Sequence, residues 1–470
     1  MAQSTVIGGF YKSISPYTGM VRTISSTGST PAPESISGYP TGLTSDPIGF
    51  SFNTPAGMRT MVVERVYNDN CKISTYDSNW NLKMSASTKL YDGSTSEYLK
   101  NIYTIVGVTT GTGTTIYGTD YSMARVFKAT YDTSGTTETF TVTAHYTFSA
   151  ATTLGNAAAY PAALALDSYE NVYAVAQQYS STGYDPGDYT YYPSTVVKLN
   201  SSLVQQAIIG PDGTNGTTPP SGVTWPAPNA FDIQGYDGNY YITAIGGPQW
   251  YGEGTSYPNT VKWNEESRIQ KMTPSMVVSN LIRPANSSET DATDDKFDMR
   301  ALAILSDGTA YALTGDYYTL SYDASTYTYT YRFNGRIWKT TVTDLNNASD
   351  DLIGNVGSLI TGNGVISAQS GYLWTVLPAA ELSKIWGMLG STLGIYNGSG
   401  ISGSAIDADT ASGDSNETFN TLNLVLPAAV SRGISVVRTV RGFVHPVMAY
   451  GMAMEPEKRK KFIEAHLSDK

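Results

Sequence analysis

Residues 230–244 have the sequence AFDIQGYDGNYYITA. It reads as an apolar strand, a tight Asp-Gly turn and a second strand of alternating aromatic and branched residues, which is a strong hairpin signal. Two further copies are ALALDSYENVYAVA from Ala163 and ALAILSDGTAYALTG from Ala301. The copies share a tyrosine, and the spacings are 68 and 70 residues between Tyr173, Tyr241 and Tyr311. A period this regular indicates tandem structural units.

A second signature follows each hairpin after an insertion, and it ends on a lysine. The copies are STVVKLNSSL, SRIQKMTPSM and GRIWKTTVTDL, with Lys198, Lys271 and Lys339, and fainter copies contain Lys128 and Lys72. The unit is therefore strand, tight turn, strand, insertion, strand, turn, strand. Four antiparallel strands in about 50–70 residues are the content of one β-propeller blade.

Downstream the repeat becomes shorter. The pentapeptide VLPAA occurs at Val376 and again, 49 residues later, at Val425, and it leads to a basic residue in each case, Lys384 and Arg432. These units predict an all-β protein, a β-propeller of six or seven four-stranded antiparallel blades. A long β-solenoid and two sandwiches are the alternatives, but solenoid repeats are shorter and sandwiches show no such periodic signature.

The composition agrees with a strand-rich fold and restricts the partners. The 470 residues include 45 Gly and 35 Tyr, and 15% are charged. Tyrosine and threonine favour strands, and glycine marks turns. A formal net charge of −11 disfavours a nucleic-acid partner and adsorption to an anionic membrane. No apolar run approaches the ~20 residues of a membrane span, so no transmembrane segment is expected.

Three regions are predicted along the chain. Residues 1–45 are rich in Pro, Gly and Ser and are expected to form a flexible arm, residues 46–450 form the propeller, and residues 451–470 form a helical tail with a basic run. The start of the chain lacks the features of a signal peptide. Low lysine with high Ser, Thr, Tyr and Gly is typical of secreted and surface proteins. An extracellular or envelope location, with a signal peptide removed, is therefore preferred to the cytoplasm.

The repeated units resemble the blades of a known propeller class. Their Asp-x-x-x-Asn or Asp-Gly-Asn turns are followed by a tyrosine between apolar residues and then by Arg-Ile-x-Lys, and in this they resemble NHL-type and gluconolactonase-like propellers. The resemblance is clearest over residues 160–345. It implies the fold and no function, because such propellers serve as enzymes, scaffolds and binding proteins alike.

The alternation of strand direction within a blade predicts at which end of the propeller a functional site would lie. In a four-stranded up-and-down blade, the connection between the second and third strands and the connection to the next blade leave at the same end, so every large insertion is expected at one rim. Loops of this length are usually functional or disordered. They are rich in Tyr and Trp, which either form a binding surface or pack the loops against the blades. The candidate ligand-binding residues are Tyr184, Tyr189, Tyr192, Trp225, Trp250, Tyr251, Tyr317 and Tyr318.

The sequence offers no linear motif for catalysis or for metal binding. Its three histidines, at positions 145, 445 and 466, have no zinc-site spacing, and the single Cys71 is expected to be a small buried residue. The acidic stretch 291–298 does not match the spacing of a calcium loop. Asp167 and Asp232 are possible channel carboxylates, but the sequence does not place them together as an acid–base pair. No cofactor and no metal are expected.

Three functional hypotheses follow. The leading one is a secreted or envelope-associated propeller that binds a protein or glycan ligand through an aromatic, long-looped face without catalysis. The first alternative is a propeller hydrolase or lyase acting on a carbohydrate or lactone, with carboxylates or a divalent cation in the channel. The second is a structural component of an extracellular assembly, joined through its termini. They predict, respectively, an aromatic groove, converging carboxylates or histidines, and ordered termini that contact neighbouring copies.

Overall fold

The computed structural model describes strands along most of the chain. The described residues are 5–12, 19–24, 46–65, 71–77, 79–86, 99–110, 113–148, 158–181, 189–211, 219–244, 248–250, 261–263, 267–283, 298–304, 308–323, 328–359, 371–375, 385–389, 392–396, 401–405, 417–425 and 435–438.

Two strands come first, and six four-stranded arrays then follow along the chain. The first two strands are β1 (Thr5–Lys12) and β2 (Gly19–Ile24). The first blade contains β3 (Asp46–Thr54), β4 (Gly57–Arg65), β5 (Lys72–Tyr76) and β6 (Leu82–Ala86). The second blade contains β7 (Ile102–Thr110), β8 (Gly113–Asp120), β9 (Arg125–Asp132) and β10 (Thr139–Thr147). The third blade contains β11 (Ala158–Leu166), β12 (Val172–Ser181), β13 (Tyr189–Leu199) and β14 (Gln205–Ile209).

The later blades carry additional elements. The fourth blade has β15 (Ala230–Tyr236), β16 (Asn239–Ala244), the inserted β17 (Pro248–Trp250) and β18 (Val261–Trp263), β19 (Arg268–Met272) and β20 (Val278–Arg283). The fifth has β21 (Asp298–Ile304), β22 (Thr309–Asp323), β23 (Thr328–Thr341), α1 (Val342–Asn347), β24 (Asp351–Leu352), α2 (Ile353–Val356) and β25 (Ser358–Leu359). The sixth has β26 (Gly371–Thr375), β27 (Ile385–Leu389), β28 (Thr392–Tyr396) and β29 (Ile401–Ala405). The last strands are β30 (Glu417–Val425) and β31 (Ser435–Arg438).

Seven sheets surround a central channel. The first strands of the six blades, β3, β7, β11, β15, β21 and β26, contact one another in that order, and β30 completes the ring between β26 and β3. β30 pairs with β1, which in turn pairs with β2. In the described residues, the protein is therefore an all-β propeller with seven blades, and the prediction of six or seven blades is confirmed. The seventh blade unites strands from both ends of the chain.

The closing blade draws on residues near the start of the chain. β1 and β2 both lie within residues 1–45, the region predicted to be a flexible arm, and Thr5 pairs with Val425. Propeller strands therefore occur on both sides of the boundary predicted at residue 45. Residues 451–470, the predicted helical tail, lie outside the described residues.

Buried side chains fill the interfaces between adjacent blades. Phe52 and Ile73 of the first blade pack with Ile105 and Phe127 of the second, and corresponding clusters lie between the second, third, fourth and fifth blades. Cys71 belongs to the first cluster and is buried, as expected. A Cβ on Gly107 would lie 2.7 Å from the Cβ of Phe52, so the close approach of β3 and β7 requires glycine there.

The repeated tyrosine and lysine are cross-strand neighbours within each blade. The facing pairs are Tyr117 and Lys128, Tyr173 and Lys198, Tyr241 and Lys271, and Tyr311 and Lys339. Lys128 Nζ lies 5.5 Å from the ring centroid of Tyr117, and it donates to the carbonyl of Ser201 in the third blade at 2.8 Å. Lys198 Nζ lies 5.1 Å from the Tyr173 ring and 3.5 Å from the Pro274 carbonyl of the fourth blade. In the second and third blades, the repeated lysine thus contacts the next blade.

A serine four residues before the lysine joins the same blades at the opposite end. Ser194 Oγ accepts a hydrogen bond from Ala230 N at 2.9 Å, and Ser267 Oγ accepts one from Met299 N at 2.7 Å. Both donors lie at the start of the next blade's innermost strand. The third strand of the third blade is therefore fixed to the fourth blade at both ends.

Several short turns share one backbone structure. Their fourth residue has a φ between 60° and 62° although it is not glycine, in Trp80, Glu170, Leu203 and Met276. The first residue caps the turn, as when Asp167 Oδ1 accepts from the N–H groups of Tyr169 and Asn171 at 2.8 Å. Trp80, Leu203 and Met276 are buried, so their packing offsets a left-handed conformation that costs about 1–2 kcal/mol. The predicted Asp237-Gly238 turn has φ values of 47° and 73° at its two residues.

The two helices in the described part of the chain belong to the connection between β23 and β25. α1 begins after Thr341, whose hydroxyl accepts a hydrogen bond from Asp344 N at 3.0 Å and so caps the helix. β24 pairs in parallel with β20, so this connection reaches back to the fourth blade. In the part of the chain that the structure describes, no helix has the length and apolar character needed to cross a membrane.

Candidate functional site

The two ends of the propeller carry different kinds of connection. We call the end with the turns between first and second strands the short-turn face, and the opposite end the insertion-bearing face. The insertion-bearing face carries the connections from β12 to β13, from β16 to β19 and from β22 to β23. The alternation of strand direction within a blade predicts this arrangement. One long connection departs from this arrangement, because α1 and α2 follow the third strand of the fifth blade and so lie at the short-turn face.

Hairpins extend the fourth and fifth blades at the insertion-bearing face. β21 pairs with β22 as far as Gly315, whereas β22 pairs with β23 as far as Asp323. The eight residues 316–323 therefore belong to a two-stranded extension on the order of 25 Å long. The fourth blade adds the separate hairpin of β17 and β18.

The eight predicted ligand-binding residues are distributed over these connections. Tyr184 and Tyr251 lie outside the described residues. Four lie within β13, β17 and β22, namely Tyr189, Trp250, Tyr317 and Tyr318. Tyr192 is half-buried, and Trp225 is buried with 7% of its surface exposed. Their role in ligand binding stays a prediction.

Three other tyrosines stack on one another at the insertion-bearing face, between the second and third blades. The rings of Tyr160 and Tyr179 lie 4.5 Å apart at 12°, and those of Tyr121 and Tyr160 lie 4.7 Å apart at 29°. All three are half-buried. We call Tyr121, Tyr160 and Tyr179 the tyrosine stack. Because Tyr160 is the third residue of the innermost strand β11, the stack reaches the mouth of the channel.

The tyrosine stack is held by the elements beneath it. The Asp120 carboxylate accepts hydrogen bonds from Lys100 N at 2.8 Å, from Asn101 N at 3.0 Å and from Met123 N at 3.3 Å, which fixes the turn that carries Tyr121. Tyr121 N itself donates to the Asn101 carbonyl at 2.8 Å.

The other two rings are placed by strand register. Tyr160 faces Gln177 and Ala158 faces Tyr179 in the pairing of β11 with β12. Tyr160 and Tyr179 are therefore diagonal neighbours on one side of the sheet. Beneath them, the buried Gln178 donates through Nε2 to the Pro211 carbonyl at 2.9 Å and so fixes the end of β12.

Burial affects two titratable groups at the stack, Tyr179 and Asp120. Burial raises the pKa of Tyr179, and the neighbouring hydroxyls of Tyr121 and Tyr160 raise it further. The Tyr179 hydroxyl is therefore protonated at neutral pH. Tyr121 OH also lies 3.5 Å from Gln177 Oε1. Burial raises the pKa of Asp120 as well, although the N–H groups of Lys100 and Asn101 oppose that shift.

The carboxylates considered for channel chemistry have supporting roles instead. Asp167 caps the turn between β11 and β12 at the short-turn face. Asp232 lies toward the opposite end of β15, where Oδ1 accepts from Ile233 N at 2.9 Å and Oδ2 accepts from Gln234 Nε2 at 3.0 Å. They do not form an acid–base pair. Among the described residues, no group of three or more His, Cys, Asp or Glu could hold a metal ion.

The sequence contains no local signal for the tyrosine stack. Tyr121, Tyr160 and Tyr179 come from three separate segments, TDYSMA, AAYPAA and AQQYSS. Packing of the second blade against the third brings them together. The one available hint is that each tyrosine lies at a strand end on the insertion-bearing face.

Comparison with known proteins finds remote structural neighbours. No family model and no curated protein matches the chain. A protein of Lactobacillus plantarum is 10% identical over 93% of this chain and 100% of that chain, with a TM-score of 0.42. An α-L-arabinanase of Penicillium chrysogenum, complexed with arabinobiose, is 10% identical over 84% of this chain and 92% of its own, with a TM-score of 0.31. A family 43 arabinoxylan arabinofuranohydrolase of Bacillus subtilis, in complex with cellotetraose, is 11% identical over 85% and 90%, with a TM-score of 0.33.

Likeness at this level carries no argument about activity. The propeller fold rests on the strand pairing described above, and the resemblance to NHL-type blades in particular stays a prediction.

Proposed function

We propose that the protein is a secreted or envelope-associated binding protein, which docks a protein or glycan ligand on its insertion-bearing face without catalysing a reaction. The observation that carries this proposal is the strand order. It brings the extended hairpin of β22 and β23, the hairpin of β17 and β18, and the tyrosine stack to the same end of the channel.

A rigid scaffold that presents long connections at one end suits recognition. Propeller blades fix the strand ends, and binding residues are disproportionately found on loops held by such scaffolds. Tyrosine combines a large contact area with a polar group and few rotatable bonds. The buried carboxylates near this face, Asp120 and Asp232, accept hydrogen bonds from backbone N–H groups, which favours a supporting role over acid–base chemistry.

The channel itself supports the same preference. β31 pairs antiparallel with β7, with Val436 opposite Val108, on the edge of β7 that faces the channel. β31 also contacts β3. The chain's own strand thus lies against the inner wall of the first and second blades, which favours a site on the rim over one inside the channel.

The test is removal of the hairpin extension. Replacing residues 317–333 by Asn-Gly would join Asp316 to Asn334, which already face each other, through a two-residue hairpin turn. The wild type and this variant would be compared on a printed glycan array and by capture from the extracellular fraction of the source cells. Each captured partner would be purified and titrated. A matched control is Tyr169→Ala, because Tyr169 is 82% exposed on the short-turn face.

We expect a ligand that the wild type and Tyr169→Ala bind equally and that the trimmed variant binds more weakly, with unchanged thermal unfolding of the blades. Release of reducing ends from any oligosaccharide would instead support the hydrolase or lyase alternative. Self-association that depends on concentration and on the chain termini, without any ligand, would support the structural alternative.

A further inference from the structure

We infer that the tyrosine stack is the platform on which a neutral sugar ring of a glycan ligand packs. The inference rests on the proposed function and names a site and a ligand class for it. It begins from the geometry of the rings at the mouth of the channel, where Tyr160 stacks on Tyr179 at 12° and on Tyr121 at 29°.

Half-buried aromatic rings provide the apolar part of such a site. A sugar ring has an apolar face made of C–H groups, and a tyrosine ring offers a broad apolar surface with a polar group at its end. Tyr121, Tyr160 and Tyr179 each keep part of their surface accessible. Tyr121 belongs to the turn between β8 and β9, so it is the member of the stack that stands outside the strands.

Neutral hydrogen-bonding groups converge beside the rings. The hydroxyls of Tyr121 and Tyr160 are close enough to that of Tyr179 to raise its pKa. The Gln177 amide oxygen lies 3.5 Å from Tyr121 OH. Hydroxyl and amide groups both donate and accept hydrogen bonds, which matches the adjacent hydroxyls of a sugar. A few convergent polar groups beside an apolar surface are the usual composition of a small-ligand site.

The platform is also held in place before any ligand binds. Asp120 fixes the turn beneath Tyr121 through three backbone N–H groups, and Gln178 fixes the end of β12 through the Pro211 carbonyl. Binding to a preformed surface avoids the loss of conformational entropy that ordering a loop would require.

The experiment uses the full chain and neutral tetrasaccharides of glucose, xylose, arabinose, mannose and galactose. Binding is detected by saturation-transfer NMR and quantified by calorimetry. We expect at least one probe to bind the wild type, and Tyr121→Ala to weaken its affinity by about tenfold. Tyr160→Phe keeps the ring and removes one hydroxyl, so a smaller loss is expected. Tyr169→Ala, on the opposite face, should bind as the wild type does.

Thermal unfolding separates lost binding from lost folding. If Tyr121→Ala unfolds, Tyr121→Leu keeps an apolar side chain without an aromatic ring and replaces it in the comparison, with the same expected loss of affinity. Equal affinity of the wild type and the Tyr121 variant would overturn the site while leaving the proposed function intact. Failure of every neutral probe to bind would overturn the ligand class, and the hairpin deletion would then decide the proposed function separately.

Discussion

At the scale of the residue, a buried ion pair joins the first and second blades. Arg59 Nε donates to Glu138 Oε1 at 3.1 Å and to Oε2 at 2.8 Å, and Tyr131 OH donates to Oε2 at 2.5 Å. The Arg59 and Glu138 side chains are 6% and 9% exposed. Burial acts to raise the pKa of Glu138, but the hydrogen bonds from Arg59 and Tyr131 outweigh it, and the pKa is lowered overall.

Replacing Glu138 by Gln should destabilise the protein by about 3 kcal/mol at neutral pH, because Arg59 then stays buried without a counter-charge. The pKa of Glu138 is lower in the folded state, so its contribution is present above the unfolded value of about 4.3 and disappears as the pH falls through the folded value. The variant should therefore lose less stability than the wild type on acidification. Denaturant unfolding between pH 7 and pH 3 measures both effects.

The control for this change is Asp132→Asn, an exposed site at the start of the same turn. It alters the net charge equally, and its free energy of unfolding at pH 7 should stay close to that of the wild type. Equal stability of Glu138→Gln and the wild type at pH 7 would show that the ion pair contributes nothing.

A second residue-scale prediction concerns Leu203, which is buried at a φ of 60°. Glycine adopts the left-handed conformation without steric strain, whereas alanine keeps the strain that its Cβ causes. Leu203→Ala should therefore be less stable than Leu203→Gly by about 1 kcal/mol. At Val197, a buried position in β13 of the same blade, glycine should instead be worse than alanine by about 0.5–1 kcal/mol. Thermal unfolding of the four variants tests this order, and the same order at both positions would refute the role of φ.

At the scale of the element, the third strands of the second and third blades each contribute a lysine contact to the next blade. Replacing Lys128 by Met keeps the apolar stem but removes the hydrogen bond to the Ser201 carbonyl and the charge above the Tyr117 ring. We expect a loss of about 1–2 kcal/mol in denaturant unfolding. Lys198→Met, the same position one blade later, should cost less, because its contact with the Pro274 carbonyl is 3.5 Å long. Equal stability of Lys128→Met and the wild type would contradict this role.

The elements that the sequence predicts are those with local signals. The hairpins and their order are predicted by the Asp237-Gly238 turn, the Asp167 turn and the Tyr–Lys pattern. These signals are local, because turn chemistry and strand alternation act over a few residues. The elements it did not predict depend on distant contacts. The tyrosine stack needs two blades to meet, and β24 is a strand only because β20 lies beside it. The short α1 is capped by Thr341 and has no apolar periodicity long enough to mark it.

At the scale of the whole molecule, closure of the ring depends on strands far apart in the sequence. β1 pairs with β30 across almost the entire chain, and no local pattern marks the partnership. Pro-, Gly- and Ser-rich residues follow β2 and give this region the composition of a linker. Contacts between strands of such large separation cost loop-closure entropy. A covalent cross-link between β1 and β30 in the seventh blade should therefore stabilise the fold more than a cross-link elsewhere in the ring.

Introducing cysteines at Ile7 and Asn423, which face each other in this closing blade, tests that expectation. Facing Cα atoms in an antiparallel pair are about 4.5–5.5 Å apart, which is within the range of a disulfide. The native Cys71 is buried and should not interfere. We expect the oxidised protein to be about 3 kcal/mol more stable than the reduced one. The pair Ile7→Cys with Thr421→Cys is offset by two residues along β30 and should cross-link poorly, so equal cross-linking of both pairs would contradict the register that closes the propeller.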